Sequence, residues 1–537
     1  MSLTRAQKLE QLRGGTAEFE IVVIGGGITG AGVAREAAGS GLRTLLIEQN
    51  DFSWGTSSRS SKMVHGGLRY LGSGQFNLTK DAVRERERLM AEAPGLIEPL
   101  RFIMPHYRKQ FPGPRLFQIL LRVYDRIARN PSRQHLSAAE TLQWVPGLAT
   151  DNLVAASGFT DAVTDDSRLV QRVIEEAEAD GALCLNYLKA EAILRDGDSS
   201  RVTGIELRDT STSAAGQTFT ISTALAINAT GAWAKALQQT GDDTFRIRPL
   251  RGSHLVLPFS RLPVSCSVSL FHPRDRRPVF AFPWQGTTVL GTTDLDHEEN
   301  LSREPAITRE ELDYLLEISG TLFPASGITE NDIIATWAGV RPVVSEQGKN
   351  AKPLKPSQEN REHVIWSDNG LISIAGGKLT TFRLIAREVL EKAQNLMPGF
   401  SLRNNDARVF SPPAKLVRPQ TISHRNWERL QGFYGPALGE ILNAGCHDTI
   451  SGSDILWSEL AWAAANTGVV HLDDLLLRRT RLGLILPSGG KALLPEIRMA
   501  CQPVLGWDDD TWELEQSRYL GIWQAGYSLP ADSGESA

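Results

Sequence analysis

The order of apolar and polar residues predicts buried strands and a helix near the start of the chain. Consecutive apolar residues from Ile21 to Ile24 predict a buried parallel strand, and a second strand is predicted over Leu42 to Ile47. Small residues between them predict a helix from Ile28 to Ser40, which Gly41 ends. This succession of strand, helix and strand predicts a parallel βαβ unit.

Further along, the pattern predicts a strand-rich region and then a helical one. Strands are predicted over Leu225 to Ala229 and over Gly370 to Ala375. Three regions between them are predicted to be rich in strand: Arg248 to Pro258, Pro278 to Thr293 and Ile333 to Val344. Asp166 and Ser167 are predicted to cap a helix that runs to Asp180. From Thr421 onward, apolar residues and tryptophans recur at helical spacing, which predicts a helical C-terminal region.

The turn after the first strand carries three glycines in the pattern G-x-G-x-x-G. Gly25 permits a tight turn, Gly27 lets a pyrophosphate approach the backbone, and Gly30 lets the helix pack against the strand. Glu48, at the end of the second strand, is placed to accept hydrogen bonds from a ribose 2′-OH, and its charge disfavours NADP. In this context the motif predicts a dinucleotide site; a glycine-rich structural turn is the alternative.

Two further segments are typical of contacts with a cofactor. The loop after Glu48 is rich in small polar and basic residues, among them Thr56, Ser57, Ser61, Lys62, His65 and Gly66. Gly231 follows a buried strand, where a glycine lets the backbone approach a ligand. Gly376 to Thr381 is predicted to begin a long helix to about Asn395, whose N-terminus offers N–H groups and a partial positive charge. Ordinary loops and helix starts would share these features.

Composition narrows the class of partner. The 537 residues carry a net charge of −5, which argues against nucleic acid as the main partner. The four cysteines lie far apart and form no metal or redox pattern, so we expect reduced thiols, no metal site and a cytoplasmic location. The N-terminal stretch has no apolar core and predicts no signal peptide.

Several segments together resemble one family. GGGITGAGVAREAAGSG, TSSRSSKMVHGGLRYL, INATGAWA, RPLRGSHLVL, GTTDLDHE, WAGVRPVV, IAGGKLTTFR and LDDLLLRRTRLGL are similar to segments of the FAD-dependent glycerol-3-phosphate dehydrogenases. These are quinone-linked flavoproteins. The resemblance implies FAD as the cofactor and oxidation of sn-glycerol 3-phosphate to dihydroxyacetone phosphate, with the hydride going to flavin N5.

The pattern and the resemblance together predict an α/β fold. A Rossmann-like FAD-binding domain of the glutathione-reductase and D-amino-acid-oxidase type is assigned to residues 18–90, 155–240 and 360–396. A mixed-sheet substrate domain is assigned to 91–154 and 241–359, and a helical domain to 397–537. The helical domain receives no catalytic residue, because its charged residues are typical of a salt-bridged packing face.

The resemblance also implies the site residues. For the substrate these are Arg69, Tyr70, His254, Arg341, Arg361 and Lys378. For FAD they are Gly25, Gly27, Gly30, Glu48, Thr56, Ser57, Ser61, Lys62, His65, Gly66, Gly231, Gly377, Lys378, Leu379 and Thr380. Arginine forks suit a phosphate dianion. Among the catalytic candidates, His254 is the expected base, Arg341 stabilises the alkoxide, and Lys378 could act as a base only with a strongly lowered pKa.

Residues 101–133 reverse the sign of the net charge and are interleaved with apolar residues. A single acid, Asp125, stands among Arg101, Arg108, Lys109, Arg115, Arg122, Arg126, Arg129 and Arg133. A helix over Arg115 to Arg129 is predicted to lie in a lipid headgroup layer rich in anionic lipid. With ubiquinone or another membrane quinone as the acceptor, this predicts a peripheral protein on the cytoplasmic face of the inner membrane. A helix that packs on the substrate domain is the alternative.

Other functions remain open on the sequence alone. An oxidase of the same family would pass electrons to oxygen and make hydrogen peroxide. A related flavin enzyme could act on an amine or a hydroxy acid, although an arginine set favours a phosphorylated substrate. A flavin-binding sensor without turnover would need only the cofactor contacts. The oligomeric state is not fixed by the residues, and a homodimer stays open.

Overall fold

The computed structural model of the protein describes residues 3–15, 18–68, 71, 74–128, 131–211, 216, 218–237, 245–346 and 363–531. Its strands are β1 (Ile21–Ile24), β2 (Thr44–Ile47), β3 (Met63–Val64), β4 (Ile97–Tyr107), β5 (Gln134–Ser137), β6 (Leu153–Thr164), β7 (Leu183–Leu185), β8 (Leu188–Arg195), β9 (Val202–Asp209), β10 (Thr218–Ser222), β11 (Ala226–Asn228), β12 (Phe245–Pro258), β13 (Ser267–Phe271), β14 (Pro278–Trp284), β15 (Thr287–Gly291), β16 (Leu295–Asp296), β17 (Ala335–Glu346), β18 (Val364–Asp368) and β19 (Leu371–Ala375).

The helices alternate with these strands and then dominate the C-terminal region. They are α1 (Arg5–Arg13), α2 (Ile28–Ala38), α3 (Phe76–Glu92), α4 (Pro114–Ala128), α5 (Ala138–Trp144), α6 (Asp166–Ala179), α7 (Arg309–Leu322), α8 (Phe382–Leu396), α9 (His424–Tyr434), α10 (Leu438–Asn443), α11 (Trp457–Asn466), α12 (Leu482–Ile485), α13 (Leu494–Leu505) and α14 (Asp509–Gly526). A π-helical turn, Asp474–Arg479, precedes α12.

The first sheet contains the predicted βαβ unit. Its strand order is β18-β19-β11-β1-β2-β7, and β1 pairs in parallel with both β2 and β11. Every residue of β1 and β2 is buried, as expected for central strands covered on both faces. Helix α2 packs against α6 and α8, and alanines on its surface let them approach closely. Strand β18 forms an antiparallel edge.

The second large sheet is mixed, as the sequence predicts for the substrate domain. It runs β16-β12-β15-β14-β13-β4-β6-β3, with β17 paired to β12 and β5 paired to β6. Strands β4 and β13 are parallel, and the other pairs along it are antiparallel. Strand β6 crosses the predicted boundary at residues 154/155, and β3 joins this sheet from the first segment. The domain boundaries stay a prediction.

Two local predictions are wrong. Gly376 to Thr381 do not begin a helix, because Gly376 and Gly377 have φ of +80° and +101°, outside the helical region; α8 begins at Phe382. The cap of α6 is Asp165, whose side chain accepts a hydrogen bond from the Arg168 N–H at 2.9 Å. The Asp166 carboxylate instead forms an ion pair with Lys62.

The C-terminal region is helical, as predicted, and is tied to the first sheet by buried ion pairs. Asp51 accepts hydrogen bonds from Arg478 at 2.6 Å and from Arg479 at 2.6 and 2.7 Å. All three side chains are buried. Over the ranges described above, none of the helices has both the length and the apolar character needed to cross a bilayer.

Candidate active site

One large cavity lies between the two sheets and collects most of the residues that the sequence singles out. Its volume is about 1140 Å³. Of the predicted FAD contacts, it is lined by Gly25, Gly27, Glu48, Thr56, Ser57, Ser61, Lys62, His65, Gly231, Gly377, Lys378, Leu379 and Thr380. Gly30 and Gly66 lie behind this lining. The lining of this cavity therefore comes from segments that are far apart in sequence.

The glycine turn at one end of the cavity fits a dinucleotide. Gly25 has φ +113°, and a Cβ on Gly30 would lie 1.8 Å from the Gly25 carbonyl oxygen. Only glycine permits this close approach between the turn and α2. A Cβ on Gly27 would also crowd the Ser57 Oγ, at 3.1 Å. The backbone cradle that a pyrophosphate needs is therefore present.

Glu48 lies at the end of β2, as predicted, and lines the cavity. Its carboxylate accepts hydrogen bonds from the N–H groups of Gly26, at 2.7 Å, and Asn50, at 2.9 Å. Burial raises the pKa of Glu48, and these two backbone donors oppose that rise. The carboxylate is thus fixed at the edge of the cavity where a ribose would be bound.

His254 lies behind the cavity wall. Its side chain is buried, and its Nε2 lies 2.9 Å from the Oγ of Ser61, which lines the cavity. The ring stacks on Trp337 with centroids 4.9 Å apart. Burial lowers the pKa of His254 to about 3, and the nearby Lys62 adds to the shift. The imidazole is therefore neutral at physiological pH, and its Nε2 is connected to the cavity through Ser61.

Lys62 is a fully buried cation in the same wall. Its Nζ lies 2.8 Å from the Asp166 carboxylate and 4.6 and 4.5 Å from the ring centroids of Trp284 and Trp337. Burial lowers the pKa of Lys62 to about 8, Arg481 adds to the shift, and Asp166 opposes it. The sequence predicts Lys62 as a cofactor contact, but no sequence motif predicts the acidic and aromatic residues that contact it.

Arg341 and Lys378, which the sequence predicts as substrate contacts, both line the cavity. Arg341 extends from β17 and lies 3.8 Å from Asp294, which also lines the cavity. Lys378 follows the glycine pair after β19, and the neighbouring Thr380 donates a hydrogen bond to the His65 carbonyl at 3.3 Å. Three predicted substrate residues, Arg69, Tyr70 and Arg361, lie outside the described residues.

Sequence reasoning missed a network that holds the His65–Gly66 segment. Asp161 lines the cavity and accepts hydrogen bonds from the Gly66 N–H at 3.0 Å and the Tyr124 hydroxyl at 2.7 Å. Arg86 forms an ion pair with the same carboxylate. A Cβ on Gly66 would lie 2.1 Å from the Tyr124 hydroxyl oxygen, which explains this glycine. No local pattern marks Asp161, because its partners lie on α3 and α4.

The other end of the cavity is apolar and reaches the molecular surface. Its lining there includes Phe102, Met104, Phe111, Leu116, Phe117, Leu120, Phe159 and Phe280. Phe111 is 71% exposed and Leu116 is 49% exposed, so both belong to the cavity lining and to the surface. The cavity therefore joins a polar, cationic region to an apolar mouth beside α4.

Comparison with known proteins identifies the family. The FAD dependent oxidoreductase family profile matches residues 20–383, and that of the C-terminal domain of alpha-glycerophosphate oxidase matches 388–512. Glycerol-3-phosphate dehydrogenase 2 of Mycobacterium tuberculosis is 32% identical, over 94% of this chain and 88% of the relative. The chain belongs to the FAD-dependent glycerol-3-phosphate dehydrogenase family.

Two further members of this family support that assignment. The aerobic glycerol-3-phosphate dehydrogenase of Staphylococcus aureus is 35% identical over 86% of both chains. The crystal structure of the glycerol-3-phosphate dehydrogenase from Bacillus halodurans complexed with FAD has a TM-score of 0.76 and 27% identity, covering 97% of this chain and 98% of its own. Family, fold class and FAD as cofactor are thereby confirmed. The roles of individual site residues stay predictions.

Proposed function

We propose that this chain oxidises sn-glycerol 3-phosphate to dihydroxyacetone phosphate and passes the electrons to a quinone dissolved in a membrane. The observation that carries the proposal is that one cavity is lined both by the dinucleotide turn and by Arg341, Lys378 and His65. The names of the relatives supply the substrate, and this cationic lining suits a phosphorylated one. We place the protein on the cytoplasmic face of the inner membrane.

Binding of the substrate phosphate is assigned to Arg341 and Lys378. A guanidinium presents a planar fork that matches two phosphate oxygens, whereas an ammonium acts as a point charge. Arg341 is part of a strand whose next residue, Pro342, also lines the cavity. A rigid strand keeps the charge of Arg341 in place, so that a dianion is oriented as well as attracted.

The reaction removes a hydride from C2 of the substrate and a proton from its hydroxyl, leaving a C=O bond. When bound, FAD supplies the hydride acceptor, at N5 of its ring. We assign the proton to a relay in which Ser61 accepts it at Oγ and passes its own proton to Nε2 of His254. Such a transfer requires a neutral imidazole, and the lowered pKa of His254 keeps it neutral.

A low pKa also makes His254 a weak base, so a second imidazole enters the proposal. His65 lines the cavity directly, whereas His254 does not. Direct transfer to His65 would leave His254 with the task of orienting Ser61. The two routes predict different effects of substitution at Ser61, His254 and His65.

The apolar end of the cavity supports a lipid-soluble acceptor. Helix α4 buries Phe117, Leu121 and Tyr124 but exposes Leu116, Ile119 and Val123. Arg115, Arg122 and Arg126 of the same helix are exposed. Apolar side chains flanked by arginines suit insertion into an anionic headgroup layer, and Leu116 belongs also to the cavity mouth. A quinone could thus reach the cavity without entering water.

Flavin bleaching tests the proposal. Purified protein should be yellow and should bleach anaerobically with sn-glycerol 3-phosphate, but not with glycerol or amino acids. Re-oxidation should be faster with a short-chain ubiquinone than with oxygen, with little hydrogen peroxide. Rapid re-oxidation by oxygen with equimolar peroxide would instead identify an oxidase, bleaching by an amino acid would overturn the substrate class, and absence of bleaching by any of them would leave a flavin-binding sensor.

A further inference from the structure

A buried arginine of the C-terminal region lies behind the wall of the active-site cavity. Arg481 lies between the π-helical turn and α12, with φ +62° and 2% exposure. Its guanidinium contacts both carboxylate oxygens of Asp165 at 3.2 Å, forms an ion pair with Asp166, and donates to the Ser58 carbonyl at 3.0 Å. One side chain thus binds the start of α6 and the cofactor loop together.

Lys62 approaches the same acceptors. Its Nζ lies 2.8 Å from Oδ1 of Asp166, the oxygen that Arg481 also binds, and 3.3 Å from the Ser58 carbonyl oxygen. Arg481 and Lys62 therefore share one carboxylate and one carbonyl. Because Asp166 and Lys62 are fully buried, their positions depend on this shared pairing, as water does not screen the charges.

The shared pairing lies directly behind the proposed proton relay. Lys62 follows Ser61 in the chain, and the Trp337 ring stacks on His254 on one side and contacts the Lys62 ammonium. The charged groups that face Lys62 are Asp165 and Asp166 from the start of α6 and Arg481 from the C-terminal region. The neutral His254 from β12 lies beside Lys62, and Arg341 from β17 acts on His254.

We propose that Arg481 is a positioning residue of the active site, which fixes the Asp166 carboxylate and the Lys62 ammonium beside the Ser61–His254 pair. The helical region, to which the sequence assigns no catalytic residue, thereby supports the wall of the cavity from behind. The effect on turnover rests on the proposed function; the effect on the bound cofactor does not. Loss of Arg481 would leave the carboxylates of Asp165 and Asp166 with Lys62 as a nearby cation, so the ammonium should shift and hold its proton more tightly.

The experiment compares Arg481→Gln, Arg481→Lys and Arg479→Gln in the full-length, FAD-loaded protein. Arg479 is the matched control: it is also buried, it lies two positions away, and it binds Asp51 instead of Asp166. Removing either arginine takes one of two cationic partners from a buried carboxylate, because Asp166 keeps Lys62 and Asp51 keeps Arg478, so both Gln variants should be less stable. Arg481→Lys keeps the charge but loses the fork, and it serves as the folded variant if Arg481→Gln does not fold.

The first measurement needs no substrate. The visible spectrum of bound FAD is titrated from about pH 6 to 10, since the pKa of Lys62 is lowered to about 8 and its charge borders the cofactor loop. Arg481→Gln should move the spectral transition to higher pH, because the repulsion between the Arg481 and Lys62 cations is gone; Arg481→Lys should move it less, and Arg479→Gln not at all. An unchanged transition in both Arg481 variants would overturn the proposal.

The second measurement is anaerobic flavin reduction by sn-glycerol 3-phosphate. Arg481→Gln should lower the limiting rate by about tenfold or more while the substrate Kd changes by less than about twofold, and Arg481→Lys should be intermediate. Arg479→Gln should keep the wild-type rate despite its lower stability. An equal loss of rate in Arg479→Gln would show that stability alone is responsible. Wild-type protein that fails to bleach would refute the proposed function, and the spectral titration would still decide this inference.

Discussion

Nε2 of His254 lies 2.9 Å from Oγ of Ser61, and only Ser61 faces the cavity. The imidazole is enclosed by Trp337 and by Gly291, where a Cβ would lie 2.3 Å from the ring. This arrangement connects His254 to the cavity through the hydroxyl of Ser61. The same enclosure lowers the pKa of His254 to about 3, since burial disfavours the imidazolium.

Substitution separates the relay from direct transfer. If Ser61 and His254 form the relay, Ser61→Ala and His254→Gln should each slow flavin reduction by about 10²-fold, because either change interrupts the same proton path. The double variant should then be no slower than the single ones. Stopped-flow absorbance of the flavin under anaerobic conditions measures these rates, with FAD content determined in parallel.

His272→Gln provides the control for loss of a buried imidazole. His272 is fully buried, stacks on Tyr314 with centroids 3.6 Å apart, and does not line the cavity. It should leave the rate of flavin reduction unchanged. If His254→Gln also reduces at the wild-type rate whereas His65→Gln does not, His65 is the proton acceptor and the relay is wrong.

The elements that depend on a local sequence pattern are the ones that the sequence predicts correctly. The βαβ unit, the glycine turn and Glu48 form a compact segment, and each is found where the pattern places it. The error in the helix cap has a physical cause, which is that a long-range partner overrides local preference. An aspartate at the start of a helix is a common cap, but the carboxylate of Asp166 pairs with the buried Lys62. Asp165 caps the helix instead.

The parts of the site that escape prediction depend on contacts between distant segments. Asp161 bonds Gly66 and Tyr124, and Arg481 bonds Asp166, across separations of 95, 37 and 315 residues. Nothing in the neighbouring sequence marks such residues, since their role exists only once the sheets and the C-terminal helices have packed. From the sequence alone, Arg481 is indistinguishable from the other charged residues of a helical surface.

Loss of Arg341 should weaken the substrate complex and the transition state. Arg341→Ala would remove the charge-assisted contact to the phosphate that we propose, and a loss of about 2–5 kcal/mol in transition-state stabilisation is expected. Flavin reduction at varied substrate concentration gives kcat/KM, and FAD content should stay normal. Arg248→Ala is the control, because Arg248 pairs with the half-exposed Asp296 away from the cavity and should change neither quantity. Loss of FAD with activity restored by reconstitution would assign Arg341 to the cofactor instead.

Gly30→Ala should abolish FAD binding. The added Cβ would lie 1.8 Å from the Gly25 carbonyl oxygen, so the turn that receives the pyrophosphate must shift. The ratio of flavin to protein absorbance measures the outcome. Gly320→Ala adds the same methyl group to helix α7 with nothing within 4 Å, and it should retain full FAD content. A Gly30→Ala protein that remains fully yellow would show that the turn tolerates the displacement.

The ion pairs of Asp51 should make stability depend on pH. Burial favours a raised pKa for Asp51, but Arg479 and Arg478 outweigh burial and hold its pKa well below the usual value. A lowered pKa in the folded state means that Asp51 stabilises the fold above about pH 4 and that this contribution is lost as the pH falls toward the lowered value. Asp51→Asn leaves two buried arginines under-neutralised, which costs about 3–5 kcal/mol near neutral pH.

Thermal unfolding at pH 7 and at about pH 3 measures this difference. The gap in midpoint between wild type and Asp51→Asn should be large at pH 7 and should narrow at pH 3, because Asp51 is then protonated in the unfolded chain and the ionised folded form loses part of its advantage. Asp509→Asn is the control: Asp509 pairs with Arg498 at the surface, and its replacement should leave the midpoint unchanged at both pH values. A gap of constant size would mean that Asp51 does not titrate in this window.

Helix α4 should bind the protein to anionic membranes. Its exposed arginines, Arg115, Arg122 and Arg126, flank a row of exposed apolar side chains; Arg129, also predicted as part of this surface, lies outside the described residues. Replacing the three exposed arginines with Glu should release the protein from vesicles that contain anionic lipid, since the charged face would then be repelled. Wild-type binding should weaken as salt rises, because salt screens the contact between arginine and lipid. Vesicle co-sedimentation measures both effects.

A charge-matched variant shows whether the position of the arginines matters. Replacing Arg201, Lys415 and Arg425 with Glu changes the net charge by the same amount on exposed residues outside α4, and this protein should sediment as wild type does. Both triple variants should keep normal flavin reduction by substrate, whereas only the α4 variant should lose electron transfer to a quinone embedded in the vesicles. Sedimentation of the α4 variant at the wild-type level would remove this helix as the membrane contact, and the apolar mouth at Phe111 and Leu116 would then need another explanation.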